Sequence, residues 1–138
     1  MECVIDTNVL VDYIIKGSEK HEKAKESLER IDNGVLPSVV LEELVYVLNR
    51  MGLDKKTIEQ EIREVLNSYE ILGVGEDEIM QAKDAIMHEG NTTFKRFNDK
   101  LILSFAKKKD LPLLTFDGNL KGECETYGVK MPQFQQPE

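Results

Sequence analysis

The feature that most constrains this chain is a charged residue at the end of a short apolar run close to the N-terminus. The apolar residues 3–5 are followed directly by Asp6. A run this short is typical of a strand that is buried on both faces of a parallel sheet. Asp6 then lies at the carboxyl end of the strand, where open α/β sheets form their ligand crevice. The pattern predicts a cation site there if other acids converge on the same edge.

The rest of the chain alternates predicted strands with predicted helices. The predicted helices are residues 8–15, 18–31, 38–51, 54–67, 76–88 and a segment that ends near 109, and the predicted strands are 3–5, 35–37, 69–74, 111–116 and, weakly, 129–131. This alternation predicts an α/β fold with three layers, α/β/α, around a central parallel sheet of four or five strands. We expect Ser18 and Ser38 to cap their helices, and the helices between residues 38 and 67 to form an inserted pair.

Length and composition fit one globular domain. A chain of 138 residues with 41% hydrophobic residues can bury a single core without disulfides or a structural metal ion. We expect a domain over residues 1–132 and a frayed tail at 133–138. No apolar run approaches the roughly 20 residues that cross a bilayer, and no signal peptide is visible, so we expect a cytoplasmic protein without a membrane partner. The two cysteines, Cys3 and Cys124, are expected to be free.

The charge distribution gives mixed indications about nucleic acid. The 18 basic and 26 acidic residues leave a net charge of −8, which normally counts against a nucleic-acid binder. Basic residues nevertheless concentrate in one later segment, at Lys95, Arg96, Lys100 and 107–109. This cluster is either a solvated helix face or a surface that follows phosphates.

The helix that ends near residue 109 carries an acid on its apolar side. At about 100° per residue, Asp99 falls between Leu103 and Ala106 in a broad apolar arc, whereas Lys100 takes the opposite face. A lone buried carboxylate is costly and needs a partner or a metal ion. The alternative is that Asp99 or Asn98 caps the helix.

The helix after residue 38 carries two adjacent acids, Glu42 and Glu43. Glu43 borders the apolar face beside Val47, whereas Glu42 points nearly away from it, so helical phase favours Glu43 as the inward acid. Both acids are also favourable near a helix N-terminus for electrostatic reasons alone. The choice between them stays open at this level.

The strand near residue 114 repeats the opening pattern because it ends in Asp117. An Asp-Gly pair also makes turns for local reasons, so Asp117 by itself is weak evidence. The carboxyl ends of parallel strands meet at one edge of a sheet, however, so Asp6 and Asp117 can share one crevice.

Several carboxylates in one crevice favour Mg²⁺ or Mn²⁺ over zinc or calcium. Such ions polarise a phosphate and lower the pKa of bound water, so that no side-chain nucleophile is required. Thr7, Asn8 and Thr115 are placed to orient the carboxylates or water. The histidines, His21 and His88, are expected to be structural or solvated.

Four segments, in this order, resemble the PIN-domain family of metal-dependent ribonucleases, particularly its small stand-alone VapC-type members. The segments are residues 4–10, 38–44, 98–106 and 113–117. The resemblance spans about residues 2–132 and implies a PIN-like fold. It also implies that Mg²⁺ or Mn²⁺ is held by Asp6, Glu43, Asp99 and Asp117. The family's usual Asp-Ala pair reads Asp99-Lys100 here, which places a cation beside the site.

The resemblance implies a hydrolase, an endoribonuclease that cleaves RNA phosphodiester bonds and leaves a 5′-phosphate. It further implies frequent homodimers and makes an antitoxin protein a candidate partner, the chain then being the toxin of the pair. Lys95, Arg96 and Lys100 are the predicted RNA contacts.

Three alternative functions follow from parts of the same pattern. The first is a PIN-like module that binds RNA or protein without catalysis. A haloacid-dehalogenase-like phosphatase would need a second acid two residues after Asp6, where this chain has Asn8. A receiver-type phospho-acceptor would need paired acids before the acceptor strand, and none are found there. The ribonuclease is therefore the function that we predict.

Overall fold

Strands and helices alternate along the computed structural model, which describes residues 1–89 and 96–135. The strands are β1 (Glu2–Ile5), β2 (Asn33–Pro37), β3 (Glu70–Leu72) and β4 (Leu113–Leu114). The helices are α1 (Thr7–Ile14), α2 (His21–Glu29), α3 (Ser38–Arg50), α4 (Lys55–Ser68), α5 (Glu76–His88), α6 (Phe97–Lys109) and α7 (Gly118–Tyr127). The α/β class and the helix pair between residues 38 and 67 are thereby confirmed.

The strands of the described residues form one parallel sheet in the order β3-β2-β1-β4. The central strand is β1, where Val4 pairs with Val35 on one side and with Leu113 on the other. Cys3, Val4 and Ile5 are all 0% exposed. Because successive side chains point to opposite faces of a strand, both faces of β1 must be covered by helices. The central parallel sheet of an α/β/α fold is thus confirmed, with four strands.

The predicted fifth strand at residues 129–131 is wrong. This segment is not assigned as a strand of the sheet, although the backbone N–H of Leu113 donates to the carbonyl of Lys130, at 2.8 Å. Val129 is buried. The apolar side chain therefore anchors the segment to the core without extending the sheet.

Two predicted helix caps are also wrong. Helix α3 begins at Ser38 itself, with Pro37 before it and no side-chain cap. The hydroxyl of Ser18 instead donates to Oδ1 of Asp12, at 2.6 Å, and α2 begins only at His21. The oxygen of the same hydroxyl accepts the backbone N–H of Lys20, at 3.3 Å, so Ser18 supports the turn before α2 and does not cap the helix itself.

The C-terminal segment corrects the predicted frayed tail over residues 133–135. These residues form a short 3-10 turn, from which Phe134 packs against the core beneath the guanidinium of Arg30, at 5.3 Å. The side chain of Gln135 donates to the carbonyl of Thr115. Residues 136–138 lie outside the described residues.

Two simpler expectations concern the cysteines and membranes. Cys3 and Cys124 are both buried and free. Across residues 1–89 and 96–135, the structure contains no helix that is long and apolar enough to cross a membrane.

Candidate active site

The four acids predicted from the sequence line one cleft at the carboxyl edge of the sheet. The cleft has a volume of about 340 Å³, and its lining comprises Asp6, Thr7, Asn8, Val11, Asp12, Glu43, Val47, Asp99 and Asp117. Asp6 directly follows β1, and its backbone N–H donates to the carbonyl of Leu114 at the end of β4, at 2.9 Å. The structure therefore brings residues from four separate segments to one place.

Asp6 is the most deeply placed of these acids, with 5% of its surface exposed. One carboxylate oxygen accepts the backbone N–H of Thr7 and the other accepts the hydroxyl of Thr115, both at 2.7 Å. Burial raises the pKa of Asp6 to about 6 in spite of these bonds, and the charges of Asp99 and Glu43 add to the increase. A buried carboxylate whose hydrogen-bond donors are all neutral is strongly stabilised by a nearby cation.

Glu43 is held in the cleft by two side chains. The hydroxyl of Thr7 donates to Oε1 at 2.6 Å, and the amide of Asn98 donates to Oε2 at 3.1 Å. Glu42 is exposed and lines a different groove, between α3 and α4. Of the two candidate acids, only Glu43 reaches the cleft.

Asp99 is held by the arginine that precedes its helix. Nε and Nη2 of Arg96 both donate to Oδ2 of Asp99, at 3.1 and 2.7 Å. The pKa of Asp99 is raised, because burial outweighs the stabilising contact with the guanidinium. The same guanidinium lies 3.9 Å from Oδ2 of Asp117. Arg96 was predicted to contact RNA, and the structure places its charge against two of the acids.

Asp117 combines the two roles that the sequence offered for it. Its Oδ1 accepts the backbone N–H groups of Asn119 and Leu120, at 2.8 and 3.4 Å, and so caps α7. Its Oδ2 is the atom nearest to Arg96. One oxygen therefore serves the helix while the other remains on the cleft side.

Thr115 connects three parts of the site through one hydroxyl. Its Oγ1 donates to Asp6 and accepts the side-chain amide of Asn8, at 3.3 Å, and the backbone N–H of Asp117, at 3.1 Å. Asn8 also accepts the backbone N–H of Phe116, at 3.1 Å. A hydroxyl has one donor and two acceptor positions, and all of them are used here. The hydroxyl is therefore fixed in orientation and holds Asp6 with it.

Lys100 does not lie on the solvent-facing side of α6, and that prediction is wrong. It is 2% exposed, and its ammonium group binds Glu89 at 2.6 Å and Glu123 at 2.9 Å. Helical phase alone misplaced it, because α7 and the end of α5 pack over this side of α6 and supply the two carboxylates. Lys100 thus fastens three helices together. Lys95, the remaining predicted RNA contact, lies outside the described residues.

Two residues that belong to the site, Asn98 and Asp12, were not predicted as site residues from the sequence. Asn98 was considered only as a helix cap, and no pattern distinguishes that role from its contact with Glu43. Asp12 was not singled out, although it follows Asn8 by four residues and so shares its face of α1. That spacing could have identified it. His21 is structural, as predicted: Nδ1 lies 3.2 Å from the Asp12 carbonyl.

The donor set fits a hard cation, although the side chains are not yet gathered around one point. Carboxylate oxygens are the ligands that Mg²⁺ and Mn²⁺ prefer. Over the parts of the chain that the structure describes, no three acid, histidine or cysteine side chains are close enough together to enclose one ion. Both nitrogens of Arg96 lie on Oδ2 of Asp99, so an ion bound at that oxygen would have to displace Arg96.

Comparison with known proteins identifies the family. The model of the PIN domain matches residues 3–122, a range that includes all four acids. This chain belongs to the PIN-domain family. Ribonuclease VapC1 of Aquifex aeolicus (strain VF5) is 28% identical to this PIN domain over 114 residues, which are 80% of this chain and 76% of that protein.

Solved structures confirm the fold of this PIN domain. VapC20 of Mycobacterium tuberculosis, a toxin that cleaves the sarcin-ricin loop, superposes with a TM-score of 0.75 at 19% identity, covering 88% of this chain and 94% of that one. VapBC2 of Rickettsia felis, bound to a promoter DNA fragment, gives a TM-score of 0.69 at 20% identity, covering 96% and 98%.

Proposed function

We propose that this PIN domain is a metal-dependent endoribonuclease, which hydrolyses RNA phosphodiester bonds with water activated by Mg²⁺ or Mn²⁺. The observation that carries the proposal is the convergence of Asp6, Glu43, Asp99 and Asp117 on one cleft at the carboxyl edge of the sheet. The ribonuclease activity named for the relative from Aquifex aeolicus supports the same assignment.

The proposed ligands of the ion are these four carboxylates. When bound, the ion supplies Lewis-acid polarisation of the phosphate and a lowered pKa for its water. The protein's own contribution is to hold the carboxylates in place. Thr115 fixes Asp6, while Thr7 and Asn98 fix Glu43. Such supporting contacts orient metal ligands and keep them from turning into solvent.

A toxin role with an antitoxin partner is part of the proposal. The fold is shared with VapBC2 of Rickettsia felis and with a toxin-antitoxin complex from Klebsiella pneumoniae, which matches with a TM-score of 0.64 at 22% identity. We place the protein in the cytoplasm, where an RNA substrate would be reached. Induced expression of the wild type should arrest growth of a bacterial host, and expression of Asp6→Asn should not.

Assembly into a homodimer is proposed on the family resemblance. Light scattering of the purified protein should give twice the mass of 15.8 kDa that one chain contributes. A single-chain mass at micromolar concentration would contradict the dimer and leave the proposed chemistry untouched.

A second candidate function is a PIN-like module that binds RNA or protein without catalysis. The contact that favours it is the guanidinium of Arg96 on Asp99, which occupies one proposed ligand with a side chain of the same chain. The two candidates differ in one measurable property. A module without catalysis should leave RNA intact at every concentration of Mg²⁺ or Mn²⁺.

The deciding experiment is cleavage of single-stranded RNA in the presence of Mg²⁺ or Mn²⁺. Glu43→Gln and Asp6→Asn should lower the rate by about 100-fold or more, since metal stabilisation of the transition state supplies several kcal/mol. The matched control is Glu42→Gln, which removes the neighbouring acid on the same helix and should retain the wild-type rate. Cleavage that survives both Asp6→Asn and Asp99→Asn would sink the proposal.

A further inference from the structure

Two lysines of one segment lie over the ring of Phe116, and a third lysine, from a separate segment, lies close enough to feel their charges. The ammonium group of Lys23 lies 4.7 Å from the centre of the Phe116 ring, and that of Lys20 lies 5.9 Å from it. Lys121, on α7, completes the group: its pKa is lowered by burial and then by the positive charges of Lys23 and Lys20. We call Lys20, Lys23 and Lys121 the lysine triad.

The lysine triad carries uncompensated positive charge. Among the described residues, no carboxylate forms an ion pair with any of its three members. Glu19 and Glu22 lie on the same segment as Lys20 and Lys23 and are exposed without pairing with them. Mutual repulsion of three like charges destabilises the folded state, and this chain, with a net charge of −8, has enough acidic residues to neutralise them. Such an arrangement is suited to an anionic ligand.

The lysine triad adjoins the acidic cleft. Phe116 directly precedes Asp117, and its backbone N–H is bound by Asn8, which lines the cleft. Lys121 lies one helical turn after Asp117, and its backbone N–H donates to the Asp117 carbonyl, at 2.9 Å. The segment that carries Lys20 is fastened to Asp12, another lining residue, through the hydroxyl of Ser18. The backbone segments that carry the three lysines are therefore joined directly to residues that line the cleft.

The basic residues of α6 do not offer an equivalent surface. Arg96 is engaged with Asp99, and Lys100 is buried between Glu89 and Glu123. The run 107–109 begins about 12 Å along the helix axis from Asp99, since each residue of an α-helix advances about 1.5 Å. Within this run, Lys108 pairs with Asp77.

We infer that the lysine triad binds the phosphodiester backbone of an RNA strand whose scissile phosphate lies in the acidic cleft. The inference rests on the proposed function and names the surface that brings a polyanion to an acidic protein. Ammonium groups act on phosphates as point charges without regard to base identity, so the contact positions the strand and leaves sequence preference to other groups.

The ring of Phe116 holds two members of the triad, Lys20 and Lys23, close together. Cations over an aromatic face are attracted by its negative potential, which offsets part of the repulsion between the lysines. The ring itself is 8% exposed, too little to stack on a base. Its contacts with Lys20 and Lys23 keep these two ammonium groups close together.

The test is the salt dependence of RNA binding, measured without cleavage. A fluorescently labelled single-stranded RNA is titrated with full-length protein in EDTA, and anisotropy gives the affinity at a series of salt concentrations. Each phosphate neutralised on a single strand contributes about −0.7 to the slope of log K against log salt, so three contacts contribute about −2. The triple variant K20Q/K23Q/K121Q should lose a slope of about 2 and bind RNA more weakly.

Two further variants separate the triad from charge in general and from folding. The matched control K55Q/K56Q/K130Q removes three exposed lysines elsewhere and changes the net charge by the same amount, so it should keep the wild-type slope. The variant K20R/K23R/K121R keeps the charges and should also keep the slope. Circular dichroism establishes that all three variants are folded.

The outcomes are distinct for the triad and for the proposed function. Equal slopes for K20Q/K23Q/K121Q and its matched control would overturn the inference, as would a wild type that binds polyglutamate through the triad and leaves RNA unbound. RNA bound through the triad but not cleaved in Mg²⁺ or Mn²⁺ supports the inference and contradicts only the proposed function.

Discussion

Arg96 places two nitrogens on a single oxygen of Asp99, Nε at 3.1 Å and Nη2 at 2.7 Å from Oδ2. The guanidinium thereby takes up a carboxylate that would otherwise face the other acids of the cleft. Its positive charge lowers the repulsion between Asp99 and Asp117. A divalent ion bound by the same carboxylates would do the same, so we expect arginine and ion to compete for Oδ2 of Asp99.

Replacing Arg96 should therefore strengthen metal binding. We expect Arg96→Gln to bind Mn²⁺ about tenfold more tightly than the wild type, because a hydrogen bond to a charged group contributes about 1.5 kcal/mol that the ion no longer has to displace. Isothermal titration calorimetry with Mn²⁺ measures this directly, without an RNA substrate.

The control for this variant is Arg63→Gln. Arg63 also pairs with a carboxylate, that of Glu59 at 2.7 Å, but it lies on the exposed surface of α4. Its loss should leave Mn²⁺ affinity unchanged. Weaker binding in Arg96→Gln would mean that the arginine orients Asp99 for the ion, and the competition would be disproved.

The raised pKa of Asp6 makes folding stability depend on pH. An aspartate titrates near 3.8 when unfolded and at about 6 in this structure. Since the folded state holds the proton more tightly, the free energy of unfolding decreases as pH rises from about 4 to about 6. The decrease from this one group is at most about 3 kcal/mol, at about 1.4 kcal/mol for each pKa unit.

Asp6→Asn isolates this contribution. The difference in unfolding free energy between wild type and Asp6→Asn, from urea titrations in EDTA, should change by a few kcal/mol between pH 4 and pH 7, in favour of the variant at pH 7. The comparison variant Asp110→Asn removes an exposed acid and should follow the wild-type profile. A difference that is constant with pH would contradict the raised pKa.

The sheet and the strand-tip acids were predictable because they follow from local pattern. Apolar runs at 3–5 and near 114 can only be buried, and a parallel sheet brings both of their carboxyl ends to one edge. Asp6 and Asp117 could therefore be expected at one edge, and the pairing of β1 with β4 makes them neighbours. Helical phase placed Asp99 inside an apolar arc and favoured Glu43 over Glu42, and the structure decides that second choice because Glu43 alone of the two lines the cleft.

Contacts between helices were not predictable in the same way. Phase placed Lys100 in solvent because its own helix offers it no partner, and the partners Glu89 and Glu123 come from parts of the chain that meet it only in the folded state. The lysine triad could not be predicted from the sequence for the same reason. Lys20 and Lys121 are about 100 residues apart in sequence, and tertiary structure alone brings them together.

Thr115 should be sensitive to loss of its hydroxyl alone. Thr115→Val keeps the side-chain shape but leaves Asp6 with one fewer donor and leaves the amide of Asn8 and the N–H of Asp117 without an acceptor. We expect a loss of about 1–3 kcal/mol in unfolding free energy and a 10- to 100-fold loss of Mn²⁺ affinity. Thr115→Ser should recover most of both quantities.

The matched control is Thr126→Val, since this exposed hydroxyl on α7 donates only to the carbonyl of Gly122 within its own helix. Thr126→Val should change the unfolding free energy by less than about 0.5 kcal/mol. If Thr115→Val bound Mn²⁺ as tightly as Thr126→Val, the hydroxyl would have no part in holding Asp6 for the ion.

Replacing the buried Lys100 should lower the free energy of unfolding much more than replacing a neighbouring lysine of the same helix. Lys100→Met removes the cation that Glu89 and Glu123 share, and so leaves the partly buried Glu123 without a cation and Glu89 with the hydroxyl of Tyr127 as its donor. Breaking a buried ion pair from one side costs several kcal/mol, reduced here to about 2 kcal/mol because both acids keep some contact with water. Lys107→Met, on the exposed side of the same helix, should cost less than about 0.5 kcal/mol.

A double variant tests whether this cost comes from the stranded acids. Lys100→Met/Glu123→Gln removes the more buried of the two charges together with the cation, so it should be more stable than Lys100→Met alone. Urea titrations of the two variants at pH 7 measure the difference. In the double variant, the charge of Glu123 that Lys100→Met leaves without its cation is gone. If the double variant were nevertheless less stable than Lys100→Met, the loss in Lys100→Met would have to come from the packing of the lysine stem in the core.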